Sequence, residues 1–220
     1  MTKILGILGF AVSMAATGAV TAGDDVGLIN NLSGDVSYTS SGTAAKARPF
    51  MKIRMGDKFT VPSGAQMRVV YFDGGRQESF SGPAAFTAGS KQSTVQSGSQ
   101  PQVVMLPSGV SQKISQTPEL IQIAKLGRSG GVAVRGTSSA QAPTAQQAAE
   151  VRQARQTYEQ LRKSAAADDI TPELYMYSVL QDNLLYDDMK PVVAEMQKRQ
   201  PKSADVAAMV EYVKVRTEAK

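Results

Sequence analysis

Two residue types that many enzymes use for proton transfer and metal binding are missing from this chain of 220 residues. It contains no His and no Cys, which removes the imidazole base, the thiol nucleophile and the commonest metal ligands. Acyl transfer by Ser and Lys, or chemistry on paired carboxylates, remains possible in principle. The chain has no Ser-x-x-Lys motif and no glycine-rich loop that ends in Gly-Lys-Ser/Thr. We therefore expect no enzyme, metal or cofactor, with a carboxylate-dependent hydrolase as the minor alternative.

Carboxylates are adjacent at three places, which are Asp24-Asp25, Asp168-Asp169 and Asp187-Asp188. Neighbouring side chains point in different directions, so such a pair does not converge on one substrate atom. Each pair lies in a loop or at the predicted start of a helix, where acid opposes the positive end of the helix dipole. We expect solvated charges at all three places, rather than a catalytic pair or a calcium site.

Positive charge is concentrated in one stretch of the first half, and the whole chain has a net charge of +5. Five cations lie between residues 46 and 58, and they are Lys46, Arg48, Lys52, Arg54 and Lys58. The stretch indicates either a surface that attracts polyanions or an ordinary solvated strand face with Phe50 and Ile53 pointing inward. The candidate contacts to an anionic surface are Lys46, Arg48, Lys52 and Arg54.

Residues 1–22 have the layout of a secretory signal. Lys3 precedes an uncharged run that ends in small residues at Ala22, and acidic residues follow. An uncleaved anchor is the alternative, which the Gly, Ser and Thr content disfavours. We expect export to the periplasm, with no transmembrane segment after cleavage and a fold that needs no disulfide. Partners would then be a cell-envelope polymer or a periplasmic or membrane protein, and not nucleic acid.

Short apolar runs between turn residues indicate antiparallel strands in residues 23–137. The clearest strands are 34–39, 58–61, 66–72 and 76–80. Residues 66–72 carry apolar side chains on both faces, which predicts a central position in a sheet. Residues 73–75, Asp-Gly-Gly, predict the tight turn that follows. Residues 90–102 predict an exposed loop or an edge hairpin.

Two further elements are predicted before the second half begins. Thr117-Pro118 predicts the start of a short helix with Thr117 as N-cap, and Gly127 predicts its end. Residues 130–137 predict a closing strand. Residues 138–143 are rich in Ala, Ser, Gln and Pro and indicate a linker.

The second half, residues 144–220, has helical periodicity. Thr144 and Gln147 predict a capping box, followed by a narrow apolar stripe that begins at Val151. Further helices are predicted from Thr171 to about 183, from about 187 to 200, and after Ser203 as a cap. We expect these four helices to form two hairpins. Their apolar stripes must be buried, and the β half is the nearest surface.

Several motifs in the first half occur in the order of a known bacterial module, the FecR domain, which residues 26–137 resemble. The matching segments are Leu32–Val36, Met55–Phe59, Ser63–Ala65, Val69–Gly74, Phe80–Ala84 and Gly131–Thr137. The signature residues are Gly34, Asp35, Gly56, Asp57, Asp73, Gly74, Gly82, Pro83, Arg135 and Gly136. We expect them to be structural, because Asp and Gly between strands form turns.

The resemblance implies an extracytoplasmic role in binding or assembly. The family's namesake signals through a membrane span before its domain, whereas a cleavable signal is expected here, which removes that route. Residues 170–203 are also similar to one tetratricopeptide unit, although Tyr177 and Met189 stand where that family has small residues. A generic helical hairpin is the alternative.

These observations predict an α+β protein, with an antiparallel β-rich domain over residues 23–137 and a small domain of about four helices over residues 144–220. The β domain is expected to be a sandwich or a barrel. The expected function is a non-enzymatic periplasmic binding or scaffold protein. The alternative is a regulatory sensor that transmits an extracytoplasmic signal to a membrane partner.

Overall fold

The structure, a computed structural model, describes residues 24–128 and 144–218. Its strands form two five-stranded antiparallel sheets. The first sheet contains β1 (Asp25–Ser33), β4 (Lys52–Arg54), β6 (Gln66–Tyr71), β7 (Arg76–Ser81) and β10 (Gln102–Met105), in the order β10-β7-β6-β1-β4. The second contains β2 (Ser37–Ser40), β3 (Thr43–Lys46), β5 (Lys58–Val61), β8 (Ala84–Ala88) and β9 (Ser93–Gly98), in the order β3-β2-β5-β8-β9.

Helices follow the strands. They are α1 (Val110–Ile114), α2 (Thr117–Arg128), α3 (Ala145–Ser164), α4 (Thr171–Asp182), α5 (Tyr186–Arg199) and α6 (Ala204–Glu218). The predicted α+β class is confirmed. Among the described helices, none has both the length and the hydropathy that crossing a membrane requires.

The two sheets pack face to face around an apolar core. Met67, Val69 and Tyr71 of β6 belong to this core. Phe80 of the first sheet stacks on Phe86 of the second, with ring centroids 4.0 Å apart. The β domain is therefore a sandwich, one of the two forms that the sequence left open.

A second core joins the outer face of the first sheet to the helices. Leu28 and Val70 from the sheet lie in one cluster with residues of all six helices. The strand predicted at 66–72 therefore has two apolar faces because it lies between two cores, and its predicted central position is confirmed. The molecule has three layers: sheet, sheet and helices.

The first half contributes more helix than the sequence indicated. The pattern did not predict α1, a short helix whose buried Val110 and Ile114 contact the helical layer. Together α1 and α2 pack against α4 and α6. The expected end at Gly127 is wrong, because α2 continues to Arg128. The Gln116 carbonyl accepts the amide of Leu120, so Gln116, and not Thr117, stands at the cap.

Two predicted helix caps and the predicted edge hairpin are confirmed. Thr144 and Gln147 form the reciprocal capping box at the start of α3, and the Ser203 hydroxyl accepts the amide of Val206 at the start of α6. Residues 90–102 contain β9, which pairs with β8 as an edge hairpin. The predicted closing strand, the linker at 138–143 and the signal at 1–22 lie outside the described residues.

Candidate functional site

A cleft of about 370 Å³ opens between the outer face of the first sheet and the connection from α3 to α4. One row of polar residues crosses four strands of the sheet at this wall. In strand order the row is Asn31, Arg68, Ser79 and Gln102, and each residue is the direct partner of the next. Residues 164–166 and 168–169 form the opposite wall. The site therefore lies where the sandwich meets the helical layer.

A bulge in β1 directs two consecutive side chains towards the helices. Pairing with β6 goes from Ile29 to Asn31, which leaves Asn30 as the extra residue. Asn30 donates from its amide to the hydroxyl of Thr171. Asn31 donates to Asp168 Oδ2 at 2.5 Å. In a regular strand these neighbours would point to opposite faces, so the bulge brings both amides into contact with the segment from Asp168 to Thr171.

Asp169 is the centre of the buried network between the layers and is 2% exposed. Its Oδ2 accepts 2.8 Å from Nε2 of Gln77. Its Oδ1 accepts 2.9 Å from the backbone amide of Thr171 and lies 2.6 Å from the hydroxyl of that residue. A buried carboxylate is tolerated because both oxygens are bonded and a cation is near.

That cation is Arg68, which lies on a central strand with its side chain 10% exposed. Its Nε donates to Ser79 Oγ at 3.1 Å and its Nη2 donates to Asp168 Oδ1 at 3.3 Å. Its Nη1 lies 3.8 Å from Asp169 Oδ1. One guanidinium therefore connects the sheet to both carboxylates of the connection between α3 and α4.

The same connection is held from the helical side by two arginines. Arg162 donates to the carbonyls of Asp169 and Ala166, each at 2.7 Å. Arg199 donates to the carbonyl of Ala167 at 3.0 Å. The connection that forms this cleft wall is therefore held from the sheet and from the helices.

Glu173 in the first turn of α4 completes this arrangement. It is fully buried and pairs with Arg162 at 2.8 Å and with Arg199 at 3.5 Å. The hydroxyl of Tyr158 donates to it at 3.2 Å. Burial, reinforced by the charge of Glu173, raises the pKa of Tyr158 to about 12. The phenol is thus a neutral donor to a buried carboxylate.

The expectation of solvated carboxylates is wrong for Asp169. The residue does stand before α4, but the connection folds back onto the first sheet and removes Asp169 from water. Its neighbour Asp168 remains half-exposed at the cleft. Ile170, without a side-chain bond, occupies the cap of α4, and the Thr171 hydroxyl is part of the buried network.

The predicted basic stretch is partly neutralised. Lys52 and Arg54 lie on β4, at the opposite edge of the first sheet, whereas Lys46 and Lys58 lie on β3 and β5 of the second sheet. Lys52 pairs with Glu119 at 2.7 Å and Arg54 with Asp25 at 3.5 Å. Lys46 pairs with Asp35 at 2.9 Å, and that bond lowers the pKa of Asp35. Within residues 24–128 and 144–218, Arg48 and Lys58 form no ion pair. Phe50 and Ile53 are both buried, as expected, but they do not share a strand face: Ile53 of β4 lies in the sandwich core, whereas Phe50 precedes the strand and lies in the core beside the helices.

The signature residues of the family resemblance lie mainly at turns of the sandwich. Asp57 is buried and accepts the backbone amide of Arg54 at 2.8 Å, which is the expected turn chemistry. Gly34, Gly56 and Gly74 have positive φ. The other described members are Asp35, Asp73, Gly82 and Pro83, with a cis bond between the last two. Arg135 and Gly136 lie outside the described residues.

Sequence reasoning did not select Arg68, Gln77 or Asp169 as site residues. One signal was present: Arg68 occurs in a strand whose other residues predict burial on both faces. A cation at such a position requires a partner from another element. The pattern did not indicate which carboxylate that partner would be. Comparisons with protein-family models, with curated proteins and with solved structures found no match to this chain.

Proposed function

We propose that this chain is a non-enzymatic binding or scaffold protein of the periplasm, with a FecR-like β domain, and that the cleft between its layers holds a cell-envelope polymer. The observation that carries the proposal is the chemistry of the cleft. Its accessible polar side chains are amides and hydroxyls, with Asp168 as the half-exposed carboxylate among them. Both oxygens of Asp168 are already bonded to the sheet.

That lining favours a ligand rich in hydroxyl, amide and amine groups. Ser79, Ser81 and Gln102 offer donors and acceptors from the sheet, and Ser164 offers a hydroxyl from the helical side. Peptidoglycan carries sugar hydroxyls, amides and, in its peptide stems, amines that complement Asp168. The apolar stretch of the wall, with Val104 and Leu161, suits the aliphatic parts of such stems.

Co-sedimentation with purified sacculi tests the proposal. Ala166 is exposed and lines the cleft, so Ala166→Trp fills the cleft without removing a side-chain bond of the network. We expect this variant to bind about tenfold more weakly, a change of roughly 1.4 kcal/mol. Ala167→Trp is the matched control, since Ala167 is also exposed but lies outside the lining.

Equal binding by the two tryptophan variants would exclude the cleft as the site. Binding that instead disappears with salt and with Arg48→Gln would assign contact to the basic stretch, which stays a prediction. No sedimentation of the unaltered protein would contradict the polymer and leave a protein partner. Export is tested separately, by isolating the periplasmic form and sequencing its N-terminus, which we expect to begin at Gly23.

A further inference from the structure

Among the described residues, 24–128 and 144–218, the first sheet ends at β10, whose side chains are apolar and exposed. Val103, Val104 and Met105 follow one another there and are 41%, 39% and 61% exposed. The strand contains no charged residue. Three consecutive exposed apolar residues on an open sheet edge favour pairing with another strand.

The other sheet edges are protected in the ways that natural proteins use. Lys46 lies at the end of β3, and β4 contains Lys52 and Arg54. The edge strand β9 consists of Ser, Thr, Gln and Gly with one Val. Among the described edge strands, β10 is therefore the one with three exposed apolar side chains in a row and no charge.

The backbone groups at the free edge of β10 can be assigned from its pairing with β7. The amide of Leu106 donates to the Gly75 carbonyl at 2.8 Å. Since hydrogen-bonding direction alternates along a strand, Val104 also faces β7. Val103 and Met105 therefore direct their amides and carbonyls away from the sheet.

We propose that two copies of this chain pair through β10, antiparallel, about a two-fold axis at Val104. In this register Val104 lies opposite its own counterpart, and Val103 lies opposite Met105 of the other copy. The outward groups of Val103 and Met105 then form four hydrogen bonds between the copies. Each apolar side chain meets an apolar side chain, and no charges of like sign oppose each other.

Another antiparallel register is less favourable. Centring the axis on Val103 sets Met105 against Pro101, which has no amide to donate. It also sets Val104 against Gln102. The register centred on Val104 avoids both, which favours it over the register centred on Val103.

Pairing would join the two first sheets into one sheet of ten strands. A two-fold axis perpendicular to the sheet keeps both helical layers on the same side, so both clefts open on one face. Val104 lines the cleft, and its counterpart in the second copy extends that wall. The pairing itself does not depend on which ligand the cleft binds.

The contact between the two copies is small, so we expect the dimer to be weak. Four residues bury far less than the roughly 800 Å² per partner of a standard interface. We expect a dissociation constant on the order of 100 µM. A ligand surface that presents many sites would strengthen the pair, because the second contact becomes intramolecular.

Engineered cysteines test the register, since the natural chain has none. Directly opposed residues without hydrogen bonds have Cα atoms about 4.5 Å apart, within the range of a disulfide. We expect Val104→Cys to form a covalent dimer under mild oxidation. Gln96→Cys, on the polar edge β9, is the matched control and should remain monomeric. Val103→Cys alone should also remain monomeric, whereas its mixture with Met105→Cys should crosslink.

Charge substitutions provide a second, reversible test by sedimentation equilibrium. Val104→Lys sets two cations against each other at the axis and should weaken the dimer at least tenfold. In a chain that keeps Val104, the combination of Val103→Glu with Met105→Lys should retain the dimer, because each introduced acid lies opposite an introduced base of the other copy. These sites are exposed, and near-ultraviolet circular dichroism checks that each variant is folded.

Absence of a Val104→Cys dimer at protein concentrations above the expected dissociation constant would overturn the proposal. Crosslinking of Val103→Cys with itself would overturn the register. A monomer whose β10 is instead protected by a partner peptide would assign the edge to another protein. Loss of sacculus binding with the dimer intact would contradict the proposed function and leave this inference standing.

Discussion

The side-chain amide of Gln77 donates a 2.8 Å hydrogen bond to Asp169, although 92 residues separate them in the chain. Gln77 belongs to the first sheet and Asp169 to the connection before α4. Both are buried, so the bond forms only when the sandwich and the helical layer are assembled. The two halves are therefore joined by polar contacts of specified geometry as well as by apolar packing.

Asp169→Asn should destabilise the protein by about 3 kcal/mol. The substitution removes the charge beside Arg68 and replaces one acceptor with a donor, which leaves buried groups without partners. Urea denaturation followed by circular dichroism measures the change. Asp168→Asn is the matched control, because Asp168 is half-exposed, and we expect a cost below about 1 kcal/mol. Equal losses of stability in the two variants would show that the burial of Asp169 does not determine its contribution to the free energy of unfolding.

The repeated sequence Thr-Pro-Glu-Leu supplies an internal comparison. Glu173 is buried between Arg162 and Arg199, whereas Glu119 pairs with Lys52 and has its side chain 58% exposed. We expect Glu173→Gln to cost about 3–5 kcal/mol and Glu119→Gln less than about 1 kcal/mol. Thermal unfolding of the two variants side by side checks this. A similar loss in both would contradict the assigned role of Glu173.

Alkaline pH should weaken the fold through Tyr158. Its pKa in the folded state is raised to about 12 by burial and by Glu173, against about 10 in the unfolded chain. The stabilisation from the neutral phenol is therefore complete below pH 10 and is lost as the pH rises towards 12. Tyr158→Phe should remove this part of the pH dependence. Denaturation curves at pH 8, 10 and 11, together with tyrosinate absorbance, measure the effect. If the stability of the unaltered protein and that of Tyr158→Phe fall in parallel as the pH rises, the prediction is wrong.

Gly34 tests the structural interpretation of the signature glycines. It has a φ of +83°, and a Cβ there would lie 2.8 Å from Cβ of Ala65. Gly42 has a φ of +82° with nothing within 4 Å of the added Cβ. We expect Gly34→Ala to cost about 3 kcal/mol and Gly42→Ala about 1 kcal/mol. The free energies of unfolding of the two variants measure the contact separately from the backbone strain.

Local patterns predicted much of the fold. The strand at 58–61, the turn at 73–75 and the capping box at Thr144 depend on residues close together in the chain, and each lies where it was expected. The missed helix α1 is only five residues long. One such turn shows no clear helical periodicity, and packing against α4 stabilises it instead.

The candidate site was beyond the reach of the same patterns. Arg68 and Asp169 are 101 positions apart, and no periodicity links a strand in the first half to a loop in the second. The bulge at Asn30 likewise leaves no mark in the sequence that distinguishes it from an ordinary strand residue. These features depend on how the layers pack.

Sequence alone determined the α+β class, the two apolar faces of β6 and most of the element order, because side-chain periodicity and turn residues act over a few positions. Tertiary structure decided which carboxylate is buried, which glutamate of two identical motifs becomes a buried ion pair, and where a cleft remains between the layers. The physical reason is desolvation: the cost of removing a charge from water is set by neighbours that the chain brings together only on folding.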